Sequence, residues 1–336
     1  MSRASRARRI ATAAAYGGGG LGLLTAAGWG LLLGEAKLAR RWVGPPAARP
    51  PVGDGVWGAG PGPELTLALL GDSSAAGLGV HDMLETPGVL IAAGLAEAAE
   101  RPVRLVTAAV VGARSEHLVW QVEQVRDRHP DVALIMIGAN DVTSRTRPSE
   151  AVAHLARAVR RLRADGTEVV VCTCPDLGTV EPIAQPLRLV ARVWSRQLAA
   201  AQTIGVVEAG GRSVSLGDVL GPEFAARPKE LFSADRFHPS AEGYAAAAAV
   251  TLPSVCAALG LWPEEADAQV DRRLFAPDGV RPVASAAARA AGRPGTEVTG
   301  VRVDGRERGP WGRWAFLRRR RPRPVAAELA DVPHVG

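Results

Sequence analysis

Short apolar runs alternate with helical stretches from residue 64 to 262, and that alternation leaves this chain few architectures to choose from. The runs are Leu65–Leu70, Val103–Val110, Val132–Ile137, Glu168–Cys174 and the shorter Val206–Glu208. They are nearly continuous in apolar residues rather than alternating, as expected of strands covered on both faces. Strands of that kind separated by helices predict a parallel sheet between two helical layers, a three-layer α/β/α domain over residues 64–262. Its length is ample to bury a core.

The intervening helices carry their own signals. Thr86-Pro87 opens a helical stretch through Glu100, with proline at a first-turn position where its missing N–H costs nothing. Ser115 is placed to cap a helix running to about Arg128. Between Ser149 and Ala164, Val152, Leu155, Ala156, Val159 and Leu162 fall on one face and four arginines elsewhere, an amphipathic pattern that Asp165-Gly166 stops. Pro186–Thr203 reads as a helix, and Ser240 caps a final alanine-rich one ending near Leu259-Gly260.

The two ends differ from this middle. The chain carries a formal charge of +6, with seven Lys/Arg against one acid in residues 1–41 and fourteen against ten in 264–336, which leaves residues 42–263 at −4. The basicity therefore sits at the ends, and no nucleic-acid footprint is expected in the middle. Residues 10–34 contain no charged residue and are bracketed by Arg3, Arg6, Arg8 and Arg9 on one side and Glu35, Lys37, Arg40 and Arg41 on the other. That is long enough to span a bilayer as a helix. A membrane anchor is expected over residues 1–41, with a cleaved signal sequence, and so a secreted form, as the alternative. The basic amino tail favours a cytoplasmic amino end and an extracytoplasmic domain, whereas the second basic cluster favours the reverse. Residues 42–63 are rich in Pro and Gly and read as a linker. Residues 263–336 read as a basic, disordered tail, with Trp311, Trp314 and Phe316 before Arg318–Arg321. Cys172, Cys174 and Cys256 form no metal-ligand pattern and read as small buried apolar side chains.

Chemistry enters in three segments, Gly71-Asp72-Ser73, Gly138-Ala139-Asn140-Asp141 and Asp235-Arg236-Phe237-His238-Pro239. The first two each follow a predicted strand, and ligands of open parallel sheets gather at the carboxyl ends of strands. A serine hydroxyl needs a base within reach, which His238 can supply, and Asp235 three residues earlier can hold the other imidazole nitrogen. Asp72 and Asp141 are expected to hold their loops by accepting from backbone N–H groups.

Read in order, with Gly112 between the first two, these blocks resemble the SGNH (GDSL-type) hydrolases, a family of serine esterases. The resemblance covers about residues 64–262 and implies a flavodoxin-like fold with a parallel five-stranded sheet. It implies Ser73, Asp235 and His238 as catalytic residues, and the backbone N–H groups of Ser73 and Gly112 with the side-chain amide of Asn140 as an oxyanion hole. The second block departs from the family pattern, reading Thr107-Ala108-Ala109-Val110-Val111-Gly112-Ala113-Arg114 without the usual upstream asparagine. No metal or organic cofactor is implied. The expected activity is hydrolysis of carboxylic esters of a lipid, an acylated glycan or another acylated cell-envelope component. The same residues serve an O-acyltransferase, and a non-catalytic envelope-binding module is the alternative from another class. Residues 75–86, 143–148 and 178–186 are expected to form the pocket rim.

Overall fold

The computed structural model describes residues 49–261, Gly34, and the paired two-residue strands Arg302–Val303 and Arg306–Glu307. The rest of residues 1–48 and 262–336, with the candidate anchor and the basic tail, lies outside these described residues. Among the described residues no helix is long and apolar enough to cross a membrane.

The core is a six-stranded sheet in the order β1-β3-β2-β4-β5-β6. Its strands are β1 Gly55–Trp57, β2 Leu65–Gly71, β3 Val103–Thr107, β4 Val132–Met136, β5 Glu168–Cys172 and β6 Arg212–Val214. Strands β2 to β6 run parallel and β1 lies antiparallel on β3, with Gly55 opposite Leu105 and Trp57 opposite Val103. The five parallel strands thus follow the flavodoxin-like order, whose switch point falls where β2 meets β4.

Because side chains alternate along a strand, each strand feeds both layers. Leu65, Leu67 and Leu69 pack beneath helix α1 (Pro87–Ala99) and the last helix, α6 (Ala241–Ala258). Ala68 and Leu70 face α2 (Leu118–Arg126) and α4 (Pro148–Ala164) on the other side. Between these lie the short α3 (Ala139–Thr143) and the long α5 (Leu187–Glu208). Thr86 caps α1 by accepting from Val89 N–H, and Ser240 caps α6 by accepting from Gly243 N–H. Each cap satisfies a donor that the helix itself cannot.

Three expectations need correction. Val206–Glu208 is not a strand but the last turn of α5. That helix runs on until Gly210, at φ +85°, reverses the chain, and the fifth parallel strand is the less apolar Arg212–Val214. The stretch read as a linker contains β1, whose Val56 faces solvent and whose Trp57 Nε1–H donates to Gly53 O, so an edge strand hides in Pro/Gly-rich sequence. Ser115 does not cap α2: a 3₁₀ turn, Ser115–His117, precedes the helix, and the Ser115 hydroxyl donates to Asp141 instead.

Candidate active site

The turn after β2 presents Ser73. Gly71 takes φ +135°, and a Cβ there would stand 1.9 Å from the carbonyl oxygen of Met136, so only glycine lets β2 lie this close to β4 at its end. Asp72 N–H donates to Met136 O at 3.0 Å, while Ala76 N–H and Leu78 N–H return to Asp72 O and Ser73 O. The loop between β6 and α6 supplies the partner. His238 Nε2 is 3.0 Å from Ser73 Oγ, and His238 Nδ1 is 2.6 Å from Asp235 Oδ2. The carboxylate fixes the tautomer: Nδ1 carries the proton toward Asp235, so Nε2 is free to accept from the serine. Asp235 is itself held, its Oδ1 accepting from Ser233 Oγ and from the N–H groups of Phe237 and His238.

Gly112 and Asn140 lie on the segments that follow β3 and β4. Gly112 sits at φ +82° with open space where a Cβ would point. Asn140 lies in the first turn of α3, and its Nδ2 donates to the carbonyl of Ala113, the residue after Gly112. One of its two amide hydrogens is thereby used and the other is left for a ligand. Asp141 accepts from Ser115 N–H and Oγ–H, tying the Gly112 segment to the Asn140 segment. Asp72 does the same between the Ser73 and Asn140 segments, accepting from Ser74 N–H at 2.9 Å and from the backbone N–H of Gly138. Both aspartates thus act as loop ties.

Other residues that position the site were not foreseen. Buried Gln121 clamps Gly71 from both sides, with Oε1 accepting from its N–H at 2.7 Å and Nε2 donating to its C=O at 2.9 Å. Gln202 does the same across the next strand ends, accepting from Cys174 N–H and donating to Ile137 O. Buried Tyr244 of α6 donates its hydroxyl to Leu78 O at 2.6 Å, pulling the serine loop onto the helix that follows the histidine. The signal for the first was present: a glutamine three residues after Leu118 and four before Val125 sits on the apolar face of an amphipathic helix.

Burial sets the electrostatics. It pushes the Asp72 carboxyl up to about 6, against the Ser74 and Gly138 N–H groups and the charge of His238, which pull it down. Burial also raises Asp141, opposed by its bonds from Ser115. Asp235 goes the other way: burial again acts to raise it, but the bonds from the His238 ring and backbone N–H groups outweigh this and hold the carboxyl well below the usual range. All three cysteines are buried and free, and desolvation lifts Cys172 and Cys256 to about 12.

A mainly apolar cavity of about 100 Å³ lies beside the serine loop, with Asp72 and Ser74 in its wall. Thr179 and Val180 line it, as expected of the 178–186 rim, together with Leu177 just before that segment. Phe237, from the segment that carries His238, lines it as well, as do Leu220, Phe224 and Phe232 from a region of short helical turns that no sequence signal marks. The cavity's outer wall is anchored by Asp176, which accepts from Gly178 N–H and from Arg196 Nε–H at 2.9 Å. Residues 144–147 instead border a separate polar cleft with Arg114, Glu116 and His154. Among the described residues no group of three or more His, Cys, Asp or Glu is placed to hold a metal ion.

Residues 69–246 match the profile of the GDSL-like Lipase/Acylhydrolase family. The chain is also 45% identical over 251 residues to the GDSL-like esterase Rv1075c of Mycobacterium tuberculosis (strain ATCC 25618 / H37Rv), covering 71% of this chain and 79% of that protein. This chain belongs to the GDSL-like lipase/acylhydrolase family. It is accordingly a hydrolase acting on ester bonds. Among solved structures it is similar to LAE5, an alpha/beta hydrolase enzyme from the metagenome of Lake Arreo, Spain (19% identity, 61% of this chain and 97% of that one, TM-score 0.47). It is also similar to the lipase/acylhydrolase of Enterococcus faecalis (20% identity, 57% and 95%, TM-score 0.44).

Proposed function

We propose that the chain is a serine esterase that acts through an acyl-enzyme on Ser73. The observation that carries this reading is the unbroken relay Asp235–His238–Ser73, with contacts of 2.6 and 3.0 Å. His238 Nε2 takes the Ser73 proton as Oγ bonds to the ester carbonyl carbon. The carbonyl electron pair moves onto oxygen, where the N–H groups of Ser73 and Gly112 and the free amide hydrogen of Asn140 receive it. Collapse expels the alcohol, which leaves with the proton from His238. Water then enters by the same route, His238 takes its proton, and the carboxylic acid leaves as the proton returns to Ser73.

The acyl group occupies the cavity beside Ser74, whose walls of Leu177, Val180, Leu220 and Phe224 favour a hydrocarbon chain. The substrate class is an ester of a lipid or of an acylated cell-envelope component. Support for that choice comes from residues 10–34, the charge-free segment read here as a membrane anchor holding the domain outside the cytoplasm. The test is hydrolysis of an ester series from acetyl to long acyl by the full chain beside Ser73→Ala. Turnover is expected to fall by about 10³-fold or more in the variant. A Ser73→Ala protein as active as its parent would overturn the reading.

A further inference from the structure

We propose that the carboxyl edge of the sheet docks on a lipid bilayer, so that the catalytic cleft opens against the membrane surface. This deepens the preceding reading, on which it rests for its substrate class. Six large apolar side chains stand exposed around the β2 and β3 half of that edge: Met83, Leu84, Val110, Val111, Val119 and Trp120, each at least 37% exposed. They come from the connections that follow β2 and β3 and from the first turn of α2. Met83 and Leu84 precede α1, Val110 and Val111 follow β3 and adjoin Gly112, and Val119 and Trp120 open α2. Apolar side chains gathered at a catalytic mouth mark a surface that meets something apolar.

The path of the chain selects the occupant. Antiparallel β1 begins beside the carboxyl end of β3, where Thr107 N–H donates to Asp54 Oδ1 at 2.9 Å, and then descends toward the opposite edge. The polypeptide therefore enters the domain at the catalytic edge. The nineteen residues 35–53 separate that entry from the charge-free segment 10–34. They reach at most about 65 Å when extended, and a bilayer anchor upstream is joined to the domain at this edge rather than the far one. At the other end, α6 starts three residues after His238 and runs down to Ala258, so the carboxyl-terminal chain leaves from the opposite edge. A lipid surface thus fits the exposed edge better than the chain's own tail does.

The experiment uses the full chain in vesicles of phosphatidylcholine and phosphatidylglycerol brominated at mid-acyl positions. An environment-sensitive thiol dye is placed on Leu84→Cys or, as the far-edge control, on exposed Asp127→Cys; the three native cysteines are buried and escape labelling. Dye at position 84 is expected to be quenched at least about twofold and dye at 127 hardly at all. Equal quenching, none at 84, or a dye at 84 already shielded without vesicles would overturn the proposal, the last by showing that the tail or a second copy covers the edge. In parallel, V119S/W120S is expected to hydrolyse a water-soluble short ester within about twofold of the parent yet lose about tenfold or more on a bilayer-embedded ester. Equal losses on both substrates would count against docking. The quenching arm needs no turnover, so an inactive protein that still quenches at 84 defeats the esterase reading alone, and an active one that does not quench defeats docking alone.

Discussion

Asp72 and Asp235 stand on the two loops that carry the serine and the histidine, yet the fold treats them in opposite ways. Asp72 is almost fully buried, faces backbone N–H groups and has no paired cation, so desolvation wins and its carboxyl titrates near 6. Asp235 is half-buried and accepts from an imidazole, a hydroxyl and two backbone N–H groups, so hydrogen bonding wins and the carboxyl stays ionised. Residue type is the same; the balance of donors against burial differs. One carboxylate is built to tie loops together and the other to orient a base.

That contrast can be broken in order of expected effect. Asp235→Asn should be the most damaging to turnover, about 10⁴-fold, because an amide facing Nδ1 favours the wrong tautomer while leaving the packing intact. Steady-state kinetics beside a thermal melt measure it, and a loss of activity matched by a collapse in Tm would point to a structural role instead. Asp72→Ala should act mainly on stability: it leaves the N–H groups of Ser74 and Gly138 without their acceptor, at a cost of about 1–3 kcal/mol by denaturant unfolding.

Asp72→Asn is the finest cut, since its carbonyl oxygen can still accept from Ser74. Folded Asp72 holds its proton up to about 6, against an ordinary value of 3.8, so the native chain binds more protons across that window. Stability from this group therefore falls as the pH rises from about 4 to 6, by roughly 3 kcal/mol in all, and is flat above that. In Asp72→Asn the part of the slope that Asp72 supplies should be absent from unfolding curves measured across the window, while Asp141, also raised by burial, keeps its share. Asp235 contributes with the opposite sign: its stabilisation is present above its unfolded pKa and lost as the pH falls toward and below it. A parent protein whose stability climbs between pH 4 and 6 would show that other groups dominate over Asp72.

Much of this site was legible before any coordinates. Ser73, Asn140, Asp235 and His238 announce themselves by residue type and by their place after apolar runs, because an Asp three residues before a His and a Gly-Asp-Ser at a strand end are local patterns. Four of the five parallel strands were legible for the same reason, apolar content being a property of short windows. Misreadings arose where local pattern and long-range packing disagree. Val206–Glu208 is as apolar as a strand, yet it continues a helix packed on α4 until Gly210 turns it. Gly55–Trp57 lies in sequence that resembles a linker, and only pairing with β3 makes it a strand.

The sequence by itself thus determined the groups on offer: a serine hydroxyl, an imidazole with a nearby carboxylate, amide donors and a parallel α/β frame to display them. The tertiary structure alone decided the distances and the environments. It set 3.0 Å between Ser73 and a histidine 165 positions away, clamped Gly71 with Gln121, and closed a cavity between residues 177–180 and 220–237. It also split two aspartates into opposite titration behaviours. The physical reason is that side-chain identity is a local property, whereas burial and hydrogen-bond partnership are set by which distant segments the core brings together.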